Sequence, residues 1–589
     1  MPVNQAPNAA DVFVETLIDW GVDTIFGLPG DGINGVIEAL RTRQNRIHFI
    51  QARHEQAAAF MACAHAKWTG RLGVCLATTG PGGINLLNGL YDARFDRVPV
   101  LAVTGLPYHD LSQTHTQQDV DHTRLFQDVA EYSVAIQGAQ HVRTAVSLAC
   151  RTALARRGVA HVAIPVDVQE QDIEEDKASP RHKTEPSINL VSARRMPDPA
   201  AIQQAARVLD AGRRVAILAG QGARGAPEAL LRTSELLAAP ITKALLGKDV
   251  VPDVHPNVMG GVGYLGARPS QQAFAACDTL LIVGSGFPYV EYYPEPGQAK
   301  VVQIDADAAR ISLRYPADVA VVGDARLSLD LLNAALSQKA DRRFLEQAQS
   351  WKAEWLGALA AGAARGGRPL KPQRVVHELN MRLSSDAVIV ADCGHNTGLA
   401  AQYLQIRDAQ RFGVSGTLAS MACGVPYAIA AALSLRGRQV VAVVGDGGLG
   451  MSLAELSTCV RHGLPVKVVV INNGALGQIK WEQMLFLGNP EFGTDLASIN
   501  FARAAHAMGM HALRIDSGEE CAAAIEELLA HDGPALLDAV VDPDEPMLPP
   551  KRREEYMRKL QKALDAGTRG REQIERAMRE EPARTSLQD

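Results

Sequence analysis

The sequence predicts an α/β protein made of three doubly wound parallel-sheet domains. One rhythm recurs in three stretches, a short aliphatic strand followed by a glycine-containing loop and a helix. Strands that alternate with helical patterns imply parallel sheets covered by helices on both faces. At 589 residues the chain exceeds what one core supports. Its 47% hydrophobic and 21% charged residues are ordinary for a globular protein.

The first domain is expected over 1–185, with "DTIFGLPGDGINGVIEAL", "LGVCLATTGPGGINLLNGL", "PVLAVTG" and "HVAIPVD" as its units. The second, over 190–345, holds "RRVAILAGQGA", "DTLLIVGSGFP", "KVVQIDADAA" and "DVAVVGDA". The third, over 365–548, holds "DAVIVADCGHN", "QVVAVVGDGG", "PVKVVVINNG" and "PALLDAVVD". Two joints read as linkers, the charged "EEDKASPRHKTEPS" at 174–187 and the Gly/Ala/Pro-rich "AAGAARGGRPLKPQ" at 360–373. The tail, 549–589, is dense in both signs of charge and reads as a solvated helix with a frayed end.

Several function classes are disfavoured. The formal charge of −6 argues against a broad nucleic-acid surface. The eight cysteines form no CxxC pair, so zinc sites and disulfide scaffolds are not expected, and reduced thiols fit a cytoplasmic protein. The start "MPVNQAPNAADVF" lacks a basic region followed by an apolar core, so no signal peptide is read. The longest uncharged run, Phe412 to Leu435, is broken by Gly413, Gly416, Gly424 and Pro426 and reads as a loop and a buried helix rather than a membrane span. Membrane association through the tail stays open but is not indicated, because the tail does not read as a strongly amphipathic anchor.

The loop "GLPGDGING" contains Gly30-x-Gly32-x-x-Gly35 after a short strand, with Glu55 about twenty residues on, which is the pattern of a dinucleotide fingerprint. Against that reading, Glu55 lies four residues beyond the strand "RIHFIQ", where a helix begins. A tight turn that merely opens a helix accounts for the same glycines.

The third domain is more specific. "QVVAVV" (439–444) is a strand that runs into Gly445-Asp446-Gly447-Gly448; Leu449, Leu453, Leu456 and Val460 follow at helical spacing, Gly463 stops the helix, and "PVKVVVI" (465–471) is the next strand, ending in Asn472-Asn473-Gly474. Parallel strands put both carboxyl ends on one sheet edge, so Asp446 and Asn473 meet beside a helix N-terminus. Glycine and helix N–H groups suit phosphate oxygens, and a carboxylate with amide and carbonyl oxygens makes a partial shell for Mg²⁺. Alone, either residue reads as a helix cap or a turn residue; as a pair they favour a metal-held diphosphate.

Asp446 in GDG, followed 27 residues later by Asn473 in "INNG", resembles the signature of thiamine diphosphate enzymes. "ARHEQAAAFMACAHAKWTG" and "ATTGPGGINLLNGLYDARFDRVPVLAVTG" are similar to the segment that carries those enzymes' glutamate and to the stretch after it. The similarity runs from about residue 8 to 550 and is closest to the pyruvate oxidase and pyruvate:quinone dehydrogenase branch, with acetolactate synthase nearby. It implies a pyrimidine-binding first domain, an FAD-type central domain and a diphosphate-binding third domain.

By that resemblance, Glu55 is the carboxylate that shares a proton with the cofactor's pyrimidine, and Asp446, Asn473 and the Ala475 carbonyl are the Mg²⁺ ligands. Gly445, Gly447, Gly448, Leu476 and Gly477 line the diphosphate; Ala419, Ser420 and Met421 hold the pyrimidine; His395 and Asn396 stand at another strand end of that sheet. FAD would lie on Gly220, Gly222, Val262, Gly263, Tyr264, Leu265, Ser285, Gly286, Phe287, Pro288, Tyr289 and Asp305. Gln118 and Glu482 match residues near the reacting carbon, but Gln117 and Gln478 replace aromatics of the oxidases. Trp481 lies one place away from the tryptophan of acetolactate synthases.

The implied reaction is decarboxylation of a 2-oxo acid, pyruvate by default, with the resulting enamine oxidised through FAD to a quinone or O₂ to give acetate and CO₂. The alternative is an acetolactate synthase-like carboligase or a simple decarboxylase in which FAD is structural or absent. The two glutamines motivate a more polar 2-oxo acid. The resemblance also implies a homodimer or homotetramer whose active sites combine Glu55 of one chain with Asp446 of another.

Overall fold

A computed structural model describes residues 7–173, 194–551 and 554–580. The linker expected at 174–187 and the last residues of the tail lie outside them. Three six-stranded sheets form, and every strand pairing in them is parallel.

The first sheet runs, edge to edge, His48–Gln51, Thr24–Gly27, Gly73–Ala77, Val100–Leu106, Val159–Pro165 and Ala130–Ala135. The third runs Arg411–Gly413, Val388–Ala391, Val440–Gly445, Val466–Asn472, Ala535–Val540 and His511–Ile515. Counted within each sheet, both have the order 2-1-3-4-6-5, so the first and third domains share one topology. The middle sheet differs: Val258–Gly261, Ile241–Lys243, Val215–Ala219, Thr279–Val283, Lys300–Asp305 and Val319–Val322 give 3-2-1-4-5-6. That is the order of a dinucleotide-binding sheet, whose ligand crevice opens where the chain reverses between strands 1 and 4.

The first and third domains share a core. Helix Glu55–Thr69 is alanine-rich and buried along nearly its whole length, as expected for a helix without a polar face. It packs with helix Gly424–Ser434, itself buried along most of its length. Inside this contact sits one charge cluster. Lys67 Nζ lies 2.6 Å from Asp96 and 3.7 Å from Asp92, and Tyr427 contributes its hydroxyl to Lys67 and to Asp92. Burial pulls the Lys67 pKa down, but the two carboxylates outweigh it and hold the ammonium above its ordinary range.

Two expectations are corrected. The stretch at 360–373 is not a free linker. Helix Arg343–Ala363 covers its start, Leu370 pairs with Val541, and Lys371 bonds Asp542 (2.8 Å) and Glu545 (2.9 Å) before helix Pro372–Arg382 begins. The tail is not a frayed solvated helix over its described part. Helices Glu554–Asp565 and Arg571–Glu580 place Leu560, Ala563, Leu564 and Ile574 in one core with Trp481, Met484, Leu485, Met547 and Leu548. Both are amphipathic, and the high charge density had masked the apolar positions that face inward. Their ion pairs, Lys559–Glu555 and Arg571–Glu575, are spaced four apart. Among the described residues no helix is long and apolar enough to cross a membrane.

Leu560 is 2% exposed in that core, so Leu560→Ala is expected to weaken the tail's docking by about 2–5 kcal/mol. Faster amide hydrogen exchange over 483–487 would show it; unchanged exchange there would contradict the packing.

Candidate functional site

The third sheet builds the site's floor. Gly445 pairs in register with Ile471, so strands Val440–Gly445 and Val466–Asn472 end together. Asp446 opens helix Asp446–Ser452 and is 7% exposed. The Gly474 N–H donates to its carboxylate at 2.9 Å, and the Ala475 N–H donates to Asn473 Oδ1 at 3.1 Å. Gly474 has φ +66°, which lets the chain turn back toward Asp446. Burial pushes the Asp446 carboxyl up to about 6.

Around this pair is a cradle that side chains would fill. A Cβ on Gly447 would stand 2.9 Å from Leu476 and 3.2 Å from the Met421 methyl, and one on Gly477 would stand 2.6 Å from the Asn473 amide and 3.3 Å from the His395 ring. One on Gly448 would meet Asp392 at 2.5 Å. The donor set is a carboxylate, a side-chain amide and a carbonyl, all hard oxygens, beside backbone N–H groups. It fits Mg²⁺ with a diphosphate supplying the remaining oxygens. Among the described residues no cluster of three or more His, Cys, Asp or Glu side chains forms a cage of its own.

The segment Ala419–Ser420–Met421 closes one side. Ala419 and Ala422 hold left-handed φ of +57° and +73°, a cost that non-glycine residues bear mainly at functional turns. Ser415 Oγ donates to Asp92 (2.8 Å) and accepts from Ser420 N–H (3.0 Å), so the charge cluster on Lys67 anchors this loop. Asn88 Nδ2 donates to Ser420 Oγ at 3.0 Å. Asn396 turns its Nδ2 to the Asp392 and Val443 carbonyls and its Oδ1 toward Gly445.

Asp392 was missed by the sequence reading. It is fully buried at the end of strand Val388–Ala391, accepts from Cys393 N–H at 2.7 Å, and is bonded by the backbone of Gly424 and Ala422. An acid directly after an aliphatic strand, as at Asp446, was the available signal.

In the first domain Glu55 opens its helix at 6% exposure and accepts from Asn85 Nδ2 at 3.0 Å. Glu455, on the stretch that follows Asp446, accepts from the N–H groups of Arg53 (2.9 Å) and His54 (3.1 Å) and so fixes the turn before Glu55. Nothing local in the sequence marks that contact. Within one chain no hydrogen bond or ion pair joins Glu55 to Asp446 or Asn473 among the described residues. Gln118, at φ +60°, accepts from Thr79 Oγ1 and packs on Gly80; Gln117 is exposed on the same loop. The glycines of the fingerprint-like loop serve packing. Added Cβ atoms on Gly30, Gly32 and Gly35 would lie 2.5 Å from Thr78, 2.2 Å from Thr79 and 2.7 Å from Gln169.

The central sheet reverses between Val215–Ala219 and Thr279–Val283. Gly220 and Gly222 follow the first of these strands and pack on Gly284 and Ser285 after the second, at distances only glycine permits. Gly286 faces the Arg310 guanidinium, and burial raises the Asp305 carboxyl at the next strand end. These residues gather at one crevice. Val262 to Leu265 and Phe287 to Tyr289 continue from these residues toward the third domain: the Phe287 N–H donates to Ser285 Oγ at 3.3 Å, a Cβ on Gly263 would stand 2.7 Å from the Phe287 ring, Leu265 touches the space beside Gly398, and the Tyr264 ring packs edge-on against Phe486 at 5.4 Å. There Gln478 Nε2 donates to Glu482 Oε1 at 2.7 Å. Trp481, 1% exposed, belongs to the tail's core.

Because burial lifts Asp392 to about 6, the folded chain binds a proton there that the unfolded chain has largely released above its usual 3.8. Its contribution to stability is present below about pH 4 and is lost as pH rises through about 6. The Asp392→Asn variant should therefore gain on the wild type by about 2–3 kcal/mol between about pH 4 and about pH 7, read from denaturant midpoints. A pH-independent difference would contradict the buried carboxyl.

Three segments match models of the thiamine pyrophosphate enzyme family: the N-terminal TPP binding domain over residues 7–125, the central domain over 202–332 and the C-terminal TPP binding domain over 392–539. The Bacillus subtilis protein YdaP, named as thiamine pyrophosphate-containing, is 37% identical over 543 residues, 92% of this chain and 93% of YdaP. The pyruvate oxidase of Lactiplantibacillus plantarum is 34% identical, covering 92% of this chain and 89% of its own. An acetolactate synthase of Mycobacterium bovis is 31% identical, covering 92% and 90%. With all three domains matched in order along the same three sheets, the chain belongs to the thiamine pyrophosphate enzyme family.

Proposed function

We propose that this protein decarboxylates a 2-oxo acid oxidatively: substrate and water give the shorter carboxylic acid and CO₂, and two electrons pass through FAD to a quinone or O₂. Pyruvate, giving acetate, is the parent of that class. The observation that carries the reading is the closure of the Asp446 carboxylate onto the Gly474 N–H, beside Asn473 and a glycine-lined cradle.

Asp446, Asn473 and the Ala475 carbonyl would hold Mg²⁺, and the amides of Gly447, Gly448, Leu476 and Gly477 would receive the diphosphate. Thiamine diphosphate, when bound, supplies the nucleophilic carbon and the sink for the electron pair released with CO₂. The chain's own groups do the rest. Ala419 to Met421 seat the pyrimidine, with the Met421 methyl against Gly447 setting its angle. Glu55, oriented by Asn85, holds a proton at the pyrimidine ring nitrogen. Gln118, Gln478 and Glu482 face the substrate. For FAD, the strand-end glycines of the central crevice and the Arg310 guanidinium fit a diphosphate, and Asp305 a ribose. Glu55 and Asp446 serving one site from two chains makes the working unit a homodimer or a homotetramer. The domain division is 1–185, 190–345 and 365–548, with the tail after 549. Eight free cysteines accord with a reducing cytoplasm.

A second reading is favoured by one observation. Position 478 carries a glutamine whose amide is tied to Glu482, so that position supplies no aromatic ring to shield the reacting carbon or to face the flavin. A carboligase or a simple decarboxylase would tolerate this.

Glu55→Gln is expected to bind the cofactors normally and to lose about 10²- to 10⁴-fold in kcat; unchanged turnover would sink the proposed role. Adding the 2-oxo acid anaerobically to the FAD-loaded enzyme should bleach the flavin stoichiometrically. CO₂ release with an oxidised flavin and an aldehyde or a new carbon–carbon bond would select the second reading.

A further inference from the structure

We infer that His122 is a positioning residue: through the Gly80 carbonyl it fixes the first turn of helix Pro81–Phe95, and that turn sets both Gln118 and Asn85, the partner of Glu55. This rests on the role proposed above for Glu55 and deepens it.

His122 opens the short helix His122–Leu125, and His161 lies on strand Val159–Pro165; both are 0% exposed. Thr104 Oγ1 stands between the two rings, 3.0 Å from His122 Nδ1 and 2.9 Å from His161 Nε2. Ser133 Oγ stands 2.8 Å from His161 Nδ1, and the Phe126 ring stacks on His161 at 4.0 Å. Burial lowers the His122 pKa, outweighing the Gly80 and Gly105 carbonyls that favour its charged form, and holds His161 well below its ordinary range. Both rings are therefore neutral. A neutral ring has one N–H, and each placement forces the next. His122 Nε2 faces the Gly80 carbonyl at 3.2 Å, which can only accept, so Nε2 carries the proton and Nδ1 accepts from the Thr104 hydroxyl. Thr104 has one hydrogen, so His161 Nε2–H donates to its oxygen, and His161 Nδ1 accepts from Ser133. The other acceptor for Ser133, the Thr123 carbonyl at 3.3 Å, would leave His161 Nδ1 without a donor. One arrangement bonds all four ring nitrogens, and it points a donor at Gly80.

The turn held in this way is the one the site needs. Gly80 has φ +52° and ψ −110°, a conformation that glycine adopts at low cost and other residues do not. A Cβ there would stand 2.8 Å from the Gln118 side chain, so this turn and the loop that carries Gln118 are in contact. The His122 ring also packs on Gly83, where a Cβ would stand 2.6 Å from it. The Gly80 carbonyl accepts from the Ile84 N–H at 3.2 Å, and the next residue, Asn85, donates to Glu55 at 3.0 Å. Without His122, the Ile84 N–H alone would hold that carbonyl.

The test uses the full-length chain. His122→Phe keeps a ring against Gly83 and removes both bonds. In the protein without cofactor, it should quicken amide exchange over 80–85 and 116–120 by about tenfold and leave that over 440–445 unchanged. In the protein loaded with thiamine diphosphate and Mg²⁺, it should slow deuterium uptake at the cofactor's nucleophilic carbon by about 10- to 100-fold, at unchanged cofactor affinity. His122→Gln, which offers an amide donor and an oxygen acceptor, should recover most of that rate. Thr104→Val removes the donor to Nδ1 without touching His122, and should slow uptake by about threefold or more even where His122→Phe fails to fold. Exchange and uptake at wild-type rates in His122→Phe, no recovery in His122→Gln, or wild-type uptake in Thr104→Val would each overturn the inference. Wild-type uptake in Glu55→Gln would instead overturn the role proposed for Glu55.

Discussion

Parallel strands are the constraint on which the rest of this molecule depends. A parallel sheet gathers every strand's carboxyl end on one edge, and in the third domain that edge receives Asp392, Asp446 and Asn473 from three adjacent strands. The Gly474 N–H then closes onto Asp446 and converts three strand ends into one floor. Acids that would be unremarkable caps elsewhere are buried here, and for Asp392 and Asp446 burial outweighs the backbone N–H donors that favour the carboxylate and pushes each up to about 6. The proposed function seats a diphosphate and its cation on this floor.

The second dependency is the contact between the first and third domains. Burying Lys67 with Asp92 and Asp96 is stable only because Tyr427, Ser415 and the backbone of Gly416 and Thr417 satisfy the remaining valences. Losing one partner of such a buried pair costs about 3–5 kcal/mol, since the other charge stays buried. The same cluster anchors the turn that carries Ser420, so stability and site geometry are coupled. Glu455 makes a parallel link by holding the turn before Glu55 from the helical stretch that begins at Asp446.

Where sequence reading failed, the reason is physical. The tail's apolar positions are few and lie among charges, so density of charge outweighed periodicity, yet Leu560, Ala563, Leu564 and Ile574 suffice once Trp481 and Met484 offer a surface. The segment at 360–373 has the composition of a linker, but Lys371 and Leu370 are fixed by partners about 170 residues later in the chain. The Gly30-x-Gly32-x-x-Gly35 loop shows the converse case, in which a ligand-like pattern is filled by Thr78, Thr79 and Gln169.

The sequence by itself determined the three α/β units, the strand-end positions of Asp446 and Asn473, and the helix start at Glu55, because aliphatic runs, glycines and helical spacing are local signals. The distinct strand order of the central sheet, the burial of Asp392, the grip of Glu455 and the docking of the tail were decided only by tertiary structure. Each depends on residues far apart in the chain becoming neighbours, and no local pattern records which distant partner satisfies a buried polar group.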